Sequence, residues 1–238
     1  MKSHLVVLDL YPSLSQPEGD HGNALVLAHR ARQYGVDSEV VVIHPGDAVP
    51  SAGIVCIGGS QDGDLTVAAR LLRDSGDLRR LADAGAVVFG VGAGYVLLSR
   101  TFTDSSGDSH EGAGLLDVEM RDAGGLIAGP VVAEASVSLG LGPITGYEYH
   151  DRVGVLGPDA EPWLSLDVGQ GDAGAVRTAG VRQDRVIGTW MHGPVLPRNP
   201  DLADLLLRWA GVAVNPDGCP EDQIAAVVRK QRIAEARR

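Results

Sequence analysis

Short apolar segments alternate with segments of helical period in the N-terminal part of the chain, and this alternation limits it to few folds. Strand-like runs occupy residues 5–10, 38–44, 53–59 and 86–91. A helical pattern follows the first run, and another covers residues 64–84. Strands that alternate with helices form right-handed βαβ units around a parallel sheet. We therefore expect an α/β fold with a mostly parallel sheet and flanking helices.

The chain changes character in its middle, over residues 105–180, which are rich in glycine, aspartate and serine. The apolar runs there are short, and they predict antiparallel strands and loops that form a small extension of the parallel sheet. A strand over 185–191 and a helix over 201–211 return to the first pattern. We predict one domain over residues 1–213 and a helical tail over 214–238.

The tail is basic in an otherwise acidic chain and has helical propensity. Two interpretations remain open: a terminal helix surrounded by solvent, or a helix that docks onto a partner subunit. The apolar residues available for such a contact are Ile224, Val227, Val228 and Ile233.

Charge and composition exclude several classes of partner. The formal net charge of −11 argues against binding to nucleic acid or to anionic membranes. Aromatic residues make up only 4% of the chain, so base-stacking surfaces are not expected. No apolar run reaches the roughly 18–20 residues that span a bilayer. Cys56 and Cys219 match neither a disulfide framework nor a metal site, which favours a reducing, cytoplasmic setting and no metal.

Residues 86–98 read as a buried strand, a tight glycine turn and the start of a helix. The turn GVGAG, at 90–94, has the pattern of a nucleophile elbow, in which the central residue carries the reactive group. Here that residue is Gly92, which has no side chain. Two other interpretations are a plain tight connection and a turn whose backbone N–H groups hold a phosphate.

A second glycine turn, GGSQD, ends another predicted strand at residues 58–62. Backbone N–H groups at Gly58 and Gly59 could form an oxyanion hole. The alternative is a plain turn in which Asp62 caps the next helix. In the same way, Asp20 is a candidate N-cap for the helix that follows it.

His192 ends a buried strand, where side chains face the crevice in which open α/β sheets bind ligands. Together with the two glycine turns, it predicts an active-site position. Tyr95, Glu148 and His150 are further candidates for ligand contact. Core packing is the favoured alternative for Tyr95, and support of a loop is the alternative for Glu148 and His150.

These motifs resemble the class I, flavodoxin-like glutamine amidotransferases of the cobyric acid synthase type, above all the glutaminase subunits of lipid II isoglutaminyl synthases. The resemblance extends over nearly the whole chain. The segments that carry it are GDHGNALVLAHRAR (19–32), CIGGSQD (56–62), GVGAGYVLL (90–98), EGAGLLDV (111–118), GPITGYEYH (142–150) and IGTWMHGPVLPRNPDLADLLL (187–207).

The resemblance implies a mechanism for the family. A cysteine attacks the amide of glutamine, a histidine acts as the base, and ammonia passes to a Mur-ligase-like partner. That partner holds ATP and magnesium and amidates glutamate in the peptidoglycan stem, while the glutaminase itself needs no cofactor. By motif matching, His192 is the inherited base, Gly92 is the vacant nucleophile position, and Gly58 and Gly59 lie in the oxyanion turn.

This chain departs from the family at several positions that the resemblance connects with catalysis, namely Gly92, Val96, Leu126 and Tyr149. The family has cysteine, glutamine, arginine and asparagine there. Several such losses indicate a natural pseudo-amidotransferase rather than one inactivating substitution. Two hypotheses follow: a noncatalytic subunit of a Mur-ligase-like enzyme, or a remodelled enzyme in which His192 acts as acid or base on another small-molecule ligand or nitrogen donor. Both predict that Gly59, Gly92 and His192 converge at one edge of the sheet.

Overall fold

The computed structural model of the chain describes residues 4–12, 19–59, 62–172, 177–215 and 217–238. Ser60 and Gln61 of the second glycine turn lie outside these ranges, as does the side chain of Asp62, so the predicted capping by Asp62 stays a prediction. Within the described ranges, no helix is long and apolar enough to cross a membrane.

A seven-stranded sheet forms the centre of the fold. Its members are β1 (His4–Leu10), β2 (Asp37–Ile43), β3 (Ile54–Ile57), β4 (Val87–Val91), β9 (Glu161–Pro162), β11 (Gly180–Gln183) and β12 (Val186–Thr189). The strand order is β2-β1-β3-β4-β12-β11-β9, and the first five strands are parallel. This is the doubly wound order of flavodoxin-like folds. The predicted fold class is therefore confirmed.

A separate, mostly antiparallel six-stranded sheet lies beside the first. Its strands are β5 (Thr101–Thr103), β6 (Ser109–Glu111), β7 (Val118–Ala135), β8 (Ile144–Leu156), β10 (Leu164–Val168) and β13 (Met191–His192). The order is β13-β8-β7-β5-β6, with β10 paired to β7. The long hairpin of β7 and β8 dominates this sheet, and its register shifts between Asp122 and Ile127.

Helices cover both faces of the central sheet. They are α1 (His21–Gln33), α2 (Asp62–Ser75), α3 (Asp77–Asp83), α4 (Ala93–Leu98), α5 (Val195–Arg198), α6 (Pro200–Trp209) and α7 (Asp222–Ala236). One apolar core includes Leu27 and Leu206, and the core on the other face includes Leu65 and Leu81. The single helix predicted over 64–84 is wrong, because Gly76 adopts a left-handed conformation (φ 66°) that separates α2 from α3.

The single strand predicted over 185–191 is also wrong, because the chain leaves the central sheet at Trp190. The indole is buried, the Trp190 N–H donates to the carbonyl of Ala179, and the indole Nε1–H donates to Asp172 over 2.6 Å. The chain then pairs with β8, so that His192 lies opposite Tyr147. His192 therefore belongs to the second sheet and faces the end of the first.

The tail forms α7, as predicted, and ion pairs attach it to the rest of the fold. The buried guanidinium of Arg30 donates to Asp204 over 2.8 Å and also to Asp222 at the start of α7. Arg30 therefore joins α1, α6 and α7. Docking of α7 onto a partner subunit stays a prediction. The apolar side chains that α7 exposes are Ile224 (69%), Val227 (58%) and Val228 (41%).

A buried carboxyl group lies where the two sheets meet. Asp172 accepts hydrogen bonds from the Gly154 N–H at 2.7 Å, from the Trp190 indole and from the Tyr95 hydroxyl at 3.1 Å. Burial raises the pKa of Asp172 to about 6, although these three donors oppose the increase. The group therefore titrates well above an exposed aspartate.

We predict that Asp172→Asn changes how stability depends on pH. Between pH 4 and 6 folded Asp172 keeps a proton that the unfolded chain has lost, so its contribution to the free energy of unfolding decreases with rising pH, by roughly 1–3 kcal/mol. Asparagine does not titrate and preserves the acceptor oxygen. Urea unfolding at pH 4.5, 5.5, 6.5 and 7.5 should therefore show the variant gaining stability relative to the original chain up to about pH 6, then a constant difference.

The matched control is Asp83→Asn, which removes an exposed carboxyl at the end of α3. A constant difference between Asp172→Asn and the original chain over the whole pH range would contradict the prediction.

Candidate active site

The glycine turn after β4 has the geometry of a nucleophile elbow. Gly92 follows the strand directly, with φ 57° and ψ −116°, and α4 begins at Ala93. A residue with a Cβ is strained in this conformation, whereas glycine adopts it freely. The Gly92 N–H donates to the Thr189 carbonyl at 2.8 Å, and the Gly92 carbonyl accepts from the Tyr95 N–H at 2.9 Å. The turn is therefore sharp and fixed on both sides.

The two flanking glycines allow α4 to pack directly on the sheet. A Cβ at Gly90 would lie 2.6 Å from Cδ1 of Leu98. A Cβ at Gly94 would overlap the carbonyl oxygen of Ile57 at the end of β3. Close packing of helix and strand therefore requires glycine at both positions.

His192 covers the position where a nucleophile would begin. A Cβ at residue 92 would lie 2.6 Å from Nε2 of His192 and still closer to Cε1. The imidazole is itself buried, with His192 6% exposed. The ring therefore occupies the space that the first side-chain atom of any residue at position 92 would need.

Asp20 holds His192 in this orientation. Its Oδ2 lies 2.9 Å from Nδ1 of His192 and also accepts the Gly59 N–H at 3.3 Å. Its other oxygen, Oδ1, is buried and has no hydrogen-bond partner among the described residues. An aspartate on Nδ1 fixes the ring and directs Nε2 toward the elbow, as in catalytic triads. Asp20 occupies the N-cap position of α1, as the sequence predicts, but its side chain makes no capping hydrogen bond, because its carboxylate contacts His192.

A second pair of histidine and aspartate lies beside the first, and sequence reasoning missed it. Asp9 near the end of β1 contacts Nδ1 of His21, the first residue of α1. The Asp9 side chain is only 4% exposed, and burial raises its pKa against the opposing hydrogen bond from His21. A sequence signal for this pair was available: Asp9 lies near the end of the first predicted strand, and His21 follows in the segment GDHGN.

Asp20, Gly59, Gly92 and His192 lie at the crevice between β1 and β3. The connections that follow these two strands run to opposite faces of the sheet. In doubly wound folds ligands bind at this place, beyond the carboxyl ends of the strands. The structure brings together Gly59, Gly92 and His192, as the sequence predicted, and adds Asp20. The arrangement presents an oriented imidazole over Gly92.

The remaining candidate side chains lie in the buried cluster around Asp172. Tyr95 is completely buried and donates its hydroxyl to Asp172. His150 stacks on Trp190 with ring centroids 4.1 Å apart. Burial raises the pKa of Glu148, but hydrogen bonds from His150 and from two backbone N–H groups reverse this effect and lower it. Since all three have protein partners, ligand contacts for Tyr95, Glu148 and His150 stay predictions.

Neither cysteine lies at the elbow. Cys56 lies in β3, 3% exposed, and burial followed by the charge of Asp9 raises its pKa far above the usual range. The reactive species is the thiolate, and both the burial and the raised pKa of Cys56 disfavour it. Cys219 is buried just before α7. Leu126, where the resemblance expects an arginine, is 60% exposed.

Residues 20–200 match the family model described as the CobB/CobQ-like glutamine amidotransferase domain. The chain is 28% identical over 200 residues to subunit GatD of a glutamine-hydrolyzing lipid II isoglutaminyl synthase from Staphylococcus aureus, covering 80% of this chain and 78% of that one. It is 32% identical over 186 residues to the cobyric acid synthase of Sphingopyxis alaskensis, covering 74% of this chain. The match spans only 36% of that longer enzyme.

Solved structures show the same fold. One glutamine amidotransferase superposes with a TM-score of 0.58 and 19% identity, over 86% of this chain and 99% of that one. A glutamine amidotransferase from Thermotoga maritima gives a TM-score of 0.56 and 12% identity, over 98% of this chain and 92% of that one. At these identities the likeness concerns the fold alone.

The close contact between His192 and Gly92 predicts that a larger residue at position 92 destabilises the protein. Gly92→Ala should lower the free energy of unfolding by about 2–4 kcal/mol, because the new methyl group is strained and displaces a buried ring. Gly140→Ala is the control, since Gly140 also has a positive φ (63°) but open space around it. It should cost only about 1 kcal/mol.

A double-mutant cycle separates strain from the clash. His192→Ala removes the ring, so Gly92→Ala should cost at least about 1 kcal/mol less in that background than in the original chain. Additive losses, or equal losses at Gly92 and Gly140, would show that the ring does not fill the position.

Proposed function

Because this chain belongs to the CobB/CobQ-like glutamine amidotransferase family, we propose that it is a noncatalytic partner subunit of an amide-forming ligase. The observation that carries the proposal is the elbow itself, where Gly92 offers no nucleophile and the ring of His192 fills the adjacent space. The family scaffold is kept, while the group that would attack glutamine is missing.

The chemistry of glutamine hydrolysis supports this proposal. Covalent hydrolysis needs a nucleophile that forms an acyl intermediate, and the base only activates it. Donors of an oxyanion hole cannot restore normal turnover without that nucleophile. The Gly59 N–H, moreover, already donates to the carboxylate of Asp20. The crevice therefore has neither a thiolate nor a free Gly59 donor for the developing oxyanion.

The similarity to subunits of lipid II isoglutaminyl synthase supports a ligase as the partner. We propose a Mur-ligase-like subunit that binds ATP and magnesium, activates a carboxylate and works with this chain in the cytoplasm. Its product would be an amide of peptidoglycan or of a specialised metabolite. In such a complex the nitrogen comes from free ammonia, and this chain stabilises the ligase.

The choice of nitrogen donor tests the proposal. The chain is co-expressed with a Mur-ligase-like protein from the same organism, and the complex is isolated by size exclusion. ATP-dependent amide formation should proceed with ammonium chloride and fall to background with glutamine. Amidation supported by glutamine, at a rate that His192→Ala reduces, would overturn the proposed loss of glutaminase. Failure of the two chains to co-elute would overturn the proposed partner.

Restoring the thiol alone should not restore glutaminase activity. Gly92→Cys forces His192 away from the elbow and strains the hydrogen bond to Asp20, so we expect a loss of about 2 kcal/mol or more and a poorly activated thiol. Melting temperature, alkylation rate and glutamate release are measured on this variant and on Gly92→Cys combined with Leu126→Arg. Efficient glutamate release by the single variant would show that the pocket still binds glutamine and has room for a nucleophile.

A specific observation favours a second candidate, a remodelled enzyme. Asp20 Oδ1 is buried without a hydrogen-bond partner among the described residues, and Nε2 of His192 faces the same crevice. Nε2 of His192 has no hydrogen-bond partner among the described residues, so an imidazole that Asp20 orients could exchange a proton with a ligand in the crevice. Native mass spectrometry of the purified chain distinguishes the two candidates: a bound small molecule that Asp20→Asn releases would favour the enzyme.

A further inference from the structure

The outer face of the β7–β8 hairpin divides into a polar half and an apolar half. In the half far from β13, Glu119 and Arg121 form an ion pair at 2.9 Å, as is usual where an antiparallel sheet faces water. The half next to β13 differs, because its exposed side chains are apolar or aromatic. These five side chains form the tyrosine face: Leu126, Ala128, Pro130, Tyr147 and Tyr149.

Two tyrosines dominate the tyrosine face. Tyr147 is 43% exposed and Tyr149 is 50% exposed, and they lie opposite Pro130 and Ala128 of β7. Neither tyrosine hydroxyl has a hydrogen-bond partner in the described part of the chain. Aromatic rings with a free polar tip are typical anchors of protein interfaces. A contiguous group of exposed apolar side chains therefore indicates a surface that another protein covers.

The tyrosine face adjoins the candidate active site. Tyr147 lies directly opposite His192 in the pairing of β8 with β13. Directly opposed residues of antiparallel strands place their side chains on the same face of the sheet. Since the imidazole of His192 covers Gly92, a protein that binds the tyrosine face lies beside the crevice.

Charge distinguishes between the proteins that fit this surface. Each copy of the chain has a formal net charge of −11, which opposes the association of two copies. The segment 222–238, which contains α7, instead has five Arg or Lys residues and two Asp or Glu residues. Its Arg232 lines a depression together with Pro130 and Tyr147, so the basic helix borders the tyrosine face. An apolar surface with carboxylates at its rim is therefore the complementary partner.

We propose that the ligase subunit of the proposed complex docks on the tyrosine face. Tyr147 and Tyr149 insert into apolar pockets of the ligase, and carboxylates around these pockets lie against α7. This inference rests on the proposed ligase partner and adds the surface through which the two chains associate. It also places the ligase beside His192.

Acetylation of tyrosine hydroxyls by N-acetylimidazole, quantified by mass spectrometry, tests the contact directly. The chain has five tyrosines. Tyr11 and Tyr95 are buried, and the hydroxyl of Tyr34 is engaged in hydrogen bonds. In the free chain the reagent should therefore modify Tyr147 and Tyr149. Both should be protected in the complex with a Mur-ligase-like protein from the same organism.

Substitutions in the full chain measure how much the tyrosines contribute to binding. Calorimetry with the ligase should show that Tyr149→Ala raises the Kd at least about tenfold, and that adding Tyr147→Ala raises it further. The melting temperature of the ligase-free chain should hardly change, because both side chains are half exposed. Val137→Ala is the matched control: this apolar side chain is 97% exposed outside the tyrosine face, so its loss should change the Kd less than about twofold.

The possible failures can be told apart. A complex that forms with equal affinity in the double variant and the original chain, without protection of either tyrosine, would overturn the docking surface and leave the proposed partner intact. If the original chain binds no ligase, the proposed partner and this inference both fail. Sedimentation of the chain alone tests a second copy as the occupant. Self-association that Tyr149→Ala abolishes would assign the tyrosine face to a dimer and overturn the proposal.

Discussion

The hydrogen bond between Asp20 and His192 organises the candidate site, although the two residues are 172 positions apart in the chain. It connects the beginning of α1 to β13 and holds the imidazole over Gly92. The same carboxylate oxygen accepts the Gly59 N–H at the end of β3. One buried carboxylate thus fixes the relative positions of three segments that come from different parts of the sequence.

That hydrogen bond depends in turn on how the chain passes between the two sheets. Trp190 separates β12 from β13, and its indole is anchored on Asp172 and stacks against His150. If β12 continued straight, His192 would remain in the central sheet and could not pair with Tyr147 of β8. The buried polar cluster around Asp172 therefore has a structural role, because it fixes the point at which the chain turns toward His192.

The sequence predicts local features well and nonlocal contacts poorly. The alternation of strands and helices, and the close packing that needs Gly90 and Gly94, follow from rules that act over a few residues. The same kind of rule places Asp20 correctly at the start of α1 but misses the partner of its carboxylate, because only the folded chain brings His192 close to it. The break at Trp190 has the same cause, since it depends on Asp172 and Ala179.

Retention of His192 does not by itself indicate catalysis. A buried carboxylate is costly unless it is hydrogen-bonded, and removal of one partner from such a pair destabilises the protein. Without His192, Asp20 would keep only the Gly59 N–H on Oδ2 among the described residues. The fold therefore needs a donor at position 192 whether or not a reaction takes place. Glycine at position 92 is likewise favoured by its turn and by the ring of His192 that fills the adjacent space. The combination of Gly92 and His192, rather than His192 alone, therefore carries the information about chemistry.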